Sequence, residues 1–112
     1  MIKQGSIIML DLNPTKGHEQ AGYRPALVVS NADFNHASNL IWVCPITNTN
    51  RGKPMDVPLK GTETTGCVLC EHVRAVDLTN RGYKLTGDIA DKETLFQVTD
   101  IVQGAVDVIR GS

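Results

Sequence analysis

Five side chains that can hold an anion or move a proton occur close together near the N-terminus: Lys16, His18, Glu19, Gln20 and Arg24. The stretch that carries them is rich in glycine and proline, which predicts a loop. An apolar run at 26–29 follows and predicts a strand. Polar loops held by a scaffold strand are a common way to present reactive groups. This part of the chain therefore predicts a binding or catalytic loop.

Arg24 is the strongest candidate for a contact to an anion, because a guanidinium can hold two oxygens of a phosphate at once. Thr47 and Asn48 follow a second predicted strand, and Glu71 lies in a third apolar segment. Together these residues would supply a phosphate clamp, a hydroxyl donor and a proton carrier. Three of them also have an ordinary structural explanation. In that alternative Arg24 forms a surface ion pair, Thr47 ends a strand and Glu71 is a solvated carboxylate.

The pair Cys67 and Cys70 has the spacing of half a zinc site or of a redox pair. We place both in one predicted strand, where residues three apart point to opposite faces with Cα atoms about 10 Å apart. Neither a disulfide nor a metal site is expected there, and small buried hydrophobic residues are the better interpretation. The sequence predicts no metal and no cofactor.

The elements that must position these residues are mostly short strands. Apolar, β-prone segments bounded by turn formers predict strands at 6–12, 26–29, 40–46, 55–59 and 66–73, the last of which can continue to 78. Pro58 marks 55–59 as an edge strand. A helical turn is expected within 31–39, a loop at 48–54, and Trp42 in the core.

A C-terminal helix completes the expected fold. Asp91 is its predicted N-cap, and Gly111 its predicted stop. Apolar residues recur at helical spacing from Leu95 to Ile109. Five or six short strands with one closing helix predict a mainly β protein, a small curled antiparallel sheet or barrel.

Length and composition favour one domain spanning residues 1–112. The net charge of −1 argues against a dedicated duplex-binding protein, while six basic against four acidic residues in 51–84 are compatible with a short single-stranded ligand. No apolar run reaches the roughly 18 residues of a membrane span. With no secretory signal and an odd count of three cysteines, we expect a cytoplasmic protein without membrane association.

The order of motifs resembles a known family. Three segments carry the resemblance: Asp11-Leu12-Asn13-Pro14-Thr15-Lys16-Gly17-His18-Glu19-Gln20, then Gly22-Tyr23-Arg24-Pro25-Ala26, and later Pro45-Ile46-Thr47. In this order they resemble the MazF/PemK (Kid) toxins of bacterial toxin–antitoxin modules. The resemblance implies an SH3-like antiparallel β-barrel with a C-terminal helix, usually a homodimer. It also implies a metal-independent endoribonuclease that cuts single-stranded RNA at short motifs, and a cognate antitoxin whose disordered acidic tail occupies the RNA groove.

The resemblance assigns the family's catalytic arginine to Arg24 and its threonine to Thr47. Candidates for acid–base work are His18, Glu19 and Glu71, where Glu71 stands in place of the aspartate of some members and Leu69 in place of an arginine. We expect RNA contacts from the two loops, a set that comprises Thr15, Lys16, Gln20, Tyr23, Asn48, Arg51 and Lys53.

Two alternatives remain at this stage. One is a non-enzymatic gyrase poison of the CcdB type, although those proteins depend on a C-terminal Trp-Gly-Ile and this chain ends in Ile109-Arg110-Gly111-Ser112. The other is a barrel that binds RNA or a peptide without cutting it, which would not need Arg24 together with Thr47.

Overall fold

A computed structural model describes residues 2–12, 23–49 and 51–111. In chain order it contains β1 (Ser6–Asp11), β2 (Tyr23–Val28), α1 (Ala32–Ser38), β3 (Ile41–Thr47), β4 (Asp56–Pro58) and β5 (Cys67–Leu69). Then follow a short 3-10 helix (Cys70–His72), β6 (Arg74–Val76), a second short 3-10 helix (Leu78–Asn80), β7 (Tyr83–Ile89) and α2 (Lys92–Val106).

The strands form one antiparallel sheet in the order β4-β5-β3-β2-β1-β7. β3 pairs with β2 along one edge and with two strands along its other edge. Its first half pairs with β6, and its last two residues pair with β5. The end strands β4 and β7 do not pair with each other, so the sheet is curled but open among the described residues. The predicted class, mainly β and antiparallel with a C-terminal helix, is confirmed.

Each face of the sheet carries its own apolar cluster. Alternation along β1 sends Ile7 to the face covered by α2, and sends Ile8 and Leu10 to the other face. Val98 of α2 is fully buried against the first cluster, with Leu95, Ile101 and Val102 packed beside it. The central strands β1, β2 and β3 are therefore buried on both sides, which makes them rigid supports for polar groups at their ends.

The ends of both helices follow from their capping residues. The side chain of Asn31 accepts the N–H of Phe34 at the start of α1, and Asn39 ends that helix in the left-handed conformation at φ 60°. The carboxylate of Asp91 accepts the N–H of Thr94 at 2.8 Å, which confirms the predicted N-cap of α2. Neither helix in the described part of the chain is long and apolar enough to span a bilayer.

Several predicted boundaries were wrong. β2 begins at Tyr23, so Arg24 and Pro25 belong to the strand rather than to the loop before it. The strand predicted from 66 is broken by the 3-10 helix, so Cys67 lies in β5 and Cys70 outside it. α2 ends at Val106, which leaves Ile109 exposed and Gly111 without a role as its stop.

The prediction of a buried Trp42 was also wrong, because its side chain is 38% exposed. Trp42 points to the α2 face of β3 and lines a surface groove together with Asp100 and Val102 of α2. It packs edge-on against Phe34 of α1, with ring centroids 5.3 Å apart.

Candidate active site

Arg24 lies in the second position of β2, where its side chain is exposed. The β1–β2 ladder pairs it with Leu10. Within the described residues, nothing forms a hydrogen bond or ion pair with its guanidinium. A rigid strand thus presents an uncommitted cation at its end.

Thr47 lies at the matching end of the neighbouring strand. β2 and β3 pair Ala26 with Pro45, and the same register continued by two residues places Arg24 opposite Thr47. Residues two apart on a strand share a face, so the guanidinium and the hydroxyl belong to the same side of the sheet. The register therefore places the two predicted catalytic residues at the same end and on the same face of neighbouring strands.

The hydroxyl of Thr47 is oriented by its own turn. Its Oγ1 accepts the N–H of Thr49 at 3.1 Å. A hydroxyl that accepts one hydrogen bond still has its proton to donate. Thr47 can therefore give a hydrogen bond to an anion held by Arg24.

Gly66 lies directly against the backbone of Thr47. A Cβ at Gly66 would lie 2.9 Å from the carbonyl carbon of Thr47, and the residue has φ +122°. Only glycine fits both the contact and the conformation. This role was not predicted from the sequence, where Gly66 was expected only to begin a strand.

Tyr23, the expected stacking platform, lies on the opposite face of β2 from Arg24. It pairs with Asp11, and the Nζ of Lys84 lies 5.2 Å from the centroid of its ring. A Cβ at Gly82 would lie 3.2 Å from Cζ of this ring, so the aromatic ring packs on bare backbone. Tyr23 is 45% exposed and remains accessible from its own side.

Arg51, Lys53 and Glu71 form a separate charged cluster. Arg51 holds Asp56 with two hydrogen bonds, Nε to Oδ2 at 3.0 Å and Nη2 to Oδ1 at 2.6 Å. This contact keeps the pKa of Asp56 below its usual value. Glu71 Oε1 lies 3.3 Å from Arg51 Nη2 and 3.7 Å from Lys53 Nζ. Arg51 therefore serves mainly to hold Asp56, whereas Lys53 stays exposed.

Asn48 follows Thr47 and is exposed, and its Oδ1 accepts a hydrogen bond from Thr65 Oγ1 at 3.0 Å. The other predicted residues, Thr15, Lys16, His18, Glu19 and Gln20, lie outside the described residues. Among the residues that are described, no group of three or more His, Cys, Asp or Glu side chains could hold a metal ion.

Two further arginines lie near the start of the 13–22 segment. Arg81 Nη1 donates to the carbonyl of Asp11 at 3.0 Å, and Arg74 Nη1 lies 3.5 Å from the carbonyl of Leu12. Their charge adds to that of Arg24 at this end of the sheet. The sequence shows a basic excess in 51–84, but nothing in its spacing indicates that two of these residues return to β1.

Comparison with known proteins agrees with this geometry. The sequence model of the PemK-like, MazF-like toxins of type II toxin–antitoxin systems matches residues 3–105. The chain belongs to this family. The endoribonuclease toxin MazF of Escherichia coli K12 is 33% identical over 107 residues, covering 96% of this chain and 92% of that protein. The predictions of family and of enzyme class are confirmed.

Solved structures of the family have the same fold. MazF from Deinococcus radiodurans superposes with a TM-score of 0.80 at 32% identity, covering 94% of this chain and 96% of the other. A MazE–MazF structure from the same organism gives a TM-score of 0.79 at 30% identity, covering 94% and 95%. The fold described above is therefore shared with solved members of this toxin family.

Proposed function

We propose that this single-domain toxin cuts single-stranded RNA at specific sequences by using the 2′-hydroxyl of its substrate as nucleophile, without a metal or cofactor. The observation that carries the proposal is the placement of an uncommitted Arg24 opposite the hydroxyl of Thr47. These two side chains can hold the scissile phosphate between them.

The reaction needs alignment, charge stabilisation and two proton transfers. The 2′-oxygen attacks phosphorus and loses its proton to a base, while the leaving 5′-oxygen gains a proton from an acid. Arg24 and Thr47 donate to the non-bridging oxygens, which become more negative in the transition state. Preorganised donors of this kind contribute about 2.7–4 kcal/mol each. The products are a 2′,3′-cyclic phosphate and a 5′-hydroxyl.

His18 and Glu19 are the first candidates for proton transfer. A guanidinium such as that of Arg24 is a poor base at neutral pH. The contacts of Glu71 with Arg51 and Lys53 favour a structural role for that carboxylate. Glu71 remains the third candidate.

RNA would reach the site along the basic end of the sheet. Arg74 and Arg81 provide charge for neighbouring phosphates. Asn48 provides a polar group beside Thr47, and Lys53 provides charge from the Arg51 cluster. Thr15, Lys16, Gln20 and Tyr23 would read bases by their edges or by stacking, as is usual for single-stranded RNA. Arg51 would contribute through its charge, because its hydrogen bonds are engaged with Asp56.

Cleavage of messenger RNA in the cytoplasm would stop translation and growth. A cognate antitoxin with a disordered acidic tail is complementary in charge to Arg24, Arg74 and Arg81, and would occupy the same surface. The exposed apolar side chains of β7 and of the α2 end favour a homodimer, since a monomer would leave them in water.

The test uses purified, antitoxin-free protein and a long single-stranded RNA in EDTA, with cuts mapped by primer extension and ends identified by mass spectrometry. Discrete cuts with cyclic phosphate ends are expected from the wild type and not from Arg24→Ala. The matched control is Arg110→Ala, an exposed arginine beyond α2, which should cut normally.

Two results would oppose the proposal. Persistent cutting at a nucleotide that carries a single 2′-deoxy substitution would exclude the 2′-hydroxyl mechanism. RNA binding by the folded wild type without any cutting would instead favour a binding barrel, and neither binding nor cutting would favour a poison of another target.

A further inference from the structure

β7 carries a bulge that aims one carboxylate. Leu85 and Asp88, three residues apart, pair with the adjacent β1 residues Ile8 and Ile7. Between them Gly87 adopts φ +81°, and Thr86 Oγ1 accepts the N–H of Asp88 at 3.0 Å. Bulges of this kind redirect the side chain that follows them.

The carboxylate of Asp88 holds the connection between β4 and β5. Its Oδ2 accepts the N–H of Thr64 at 2.7 Å, and its Oδ1 accepts the N–H of Glu63 at 3.3 Å. β4 and β7 are the two ends of the strand order. Asp88 therefore joins the two ends of the open sheet with hydrogen bonds that no strand ladder supplies.

The same connection leads directly to Thr47. Thr65 donates to Oδ1 of Asn48, and Gly66 packs against the carbonyl of Thr47. The carbonyl of Gly66 also accepts the N–H of Leu59 at 2.9 Å, which fixes the base of the connection. A displacement of 63–64 would thus be transmitted within two residues to the backbone that carries the Thr47 hydroxyl.

We propose that Asp88 is a positioning residue for RNA cleavage, which holds segment 63–66 so that Thr47 keeps its place opposite Arg24. The proposal rests on the function proposed for Thr47. Asp88 lies on a different strand from both catalytic residues and acts through the backbone rather than on the RNA.

Positioning predicts an effect on the chemical step and not on binding. Small misplacements of a catalytic group can lower rates by up to about a hundredfold, so we expect Asp88→Ala to slow cleavage by about tenfold. RNA affinity should change much less than the cleavage rate, because Asp88 touches no proposed RNA contact directly and the connection it holds reaches only one of them, Asn48.

The experiment measures single-turnover cleavage of a labelled RNA oligonucleotide that contains the strongest mapped cut site. Affinity is measured on the same oligonucleotide with a 2′-deoxy cut nucleotide. Asp88→Asn, which keeps one acceptor oxygen, should restore part of the rate. Lys60→Ala is the matched control, because Lys60 lies in the same connection and contacts Glu93 of α2 at 3.9 Å rather than Asp88.

Gly87→Ala provides an independent perturbation. A Cβ at Gly87 meets nothing within 4 Å, so the change strains only the φ +81° backbone that aims Asp88. It should slow cleavage in the same way, and it decides the question if Asp88→Ala does not fold. Hydrogen exchange of the Thr49 amide, which is bonded to Thr47 Oγ1, should be faster in both variants.

A double-mutant cycle with Thr47→Ala gives the deciding result. If Asp88 acts through Thr47, Asp88→Ala should have little further effect on the residual rate of Thr47→Ala. Full additivity, an unchanged rate in Asp88→Ala, or a matching loss of affinity would overturn the positioning role. Normal cleavage by Thr47→Ala would instead overturn the proposed function, while exchange at Thr49 would still test the contact.

Discussion

Burial controls the chemistry of two of the three free cysteines. Burial, and secondarily the nearby Cys70, raises the pKa of Cys44 to about 12. Burial, and secondarily Asp56, raises the pKa of Cys70 to about 11. Both thiols are therefore held in the unreactive protonated form at neutral pH.

The three cysteines should differ in how fast they are alkylated in the native protein. With iodoacetamide near neutral pH, we expect Cys67, which is only half-buried, to be modified first, and Cys44 and Cys70 to react only when the protein is unfolded. Mass spectrometry of peptides from native and urea-unfolded samples measures this. Rapid native labelling of Cys44 would contradict the described core.

The Arg51–Asp56 pair should make stability depend on acid pH. The Asp56 side chain is 6% exposed, and its hydrogen bonds from Arg51 hold its pKa below the usual 3.8. The stabilisation is complete above that usual value and is lost as pH falls through the lowered pKa. Urea unfolding should therefore show a smaller loss of stability between neutral pH and about pH 3 in Asp56→Asn than in the wild type. Equal losses would mean that this pair does not contribute.

Residue types made Arg24 and Thr47 candidates for an anion site, and the family resemblance then assigned them catalytic roles, which stay a prediction. Residue types could not reveal Gly66, Asp88, Arg74 or Arg81 as part of the same region. Those roles depend on which strands become neighbours, and that information appears only in the folded sheet.

At the level of secondary structure, regular apolar patterns made the prediction possible. β1, β3 and the first four turns of α2 combine such patterns with clear caps or turn residues, and the sequence placed them nearly correctly. β7 was not predicted, because its residues are exposed or only half-buried and Gly87 interrupts it. The helix was extended too far because Val106 and Ile109 keep the apolar spacing without a surface to cover.

The second half of β2 is buried in the sheet, so truncating a side chain there should lower stability. Leu27 is fully buried in the cluster under α2, so Leu27→Ala should lower the free energy of unfolding by about 2–5 kcal/mol. Lys60→Ala is the control, since that side chain is 58% exposed, lies outside the apolar surface proposed for the dimer and should change stability by less than about 0.5 kcal/mol. Chemical denaturation measures both, and similar losses would contradict the assigned burial.

For the whole molecule, the proposed homodimer rests on exposed apolar side chains. Leu85 and Ile89 of β7, Phe96 of α2, and Val106, Val108 and Ile109 near the C-terminus are all exposed. Monomers rarely expose so many large apolar side chains without a partner surface.

We therefore expect a dimer in solution. Light scattering coupled to size exclusion should give twice the mass of one chain at micromolar concentration, and dilution should lower it. A single-chain mass at every concentration would contradict the proposed homodimer and would require another partner for this surface.

Because β1 pairs with β7, the sheet can be completed only after β7 has been synthesised. β1 leaves the ribosome early, yet one of its two neighbours is β7. Non-local pairing of this kind forms late, because the intervening chain must first be ordered. A product truncated before residue 83 lacks that neighbour and also the carboxylate that holds 63–66. Interrupted translation should therefore yield inactive fragments, so that a cell making this toxin is exposed to it only after β7 has been synthesised.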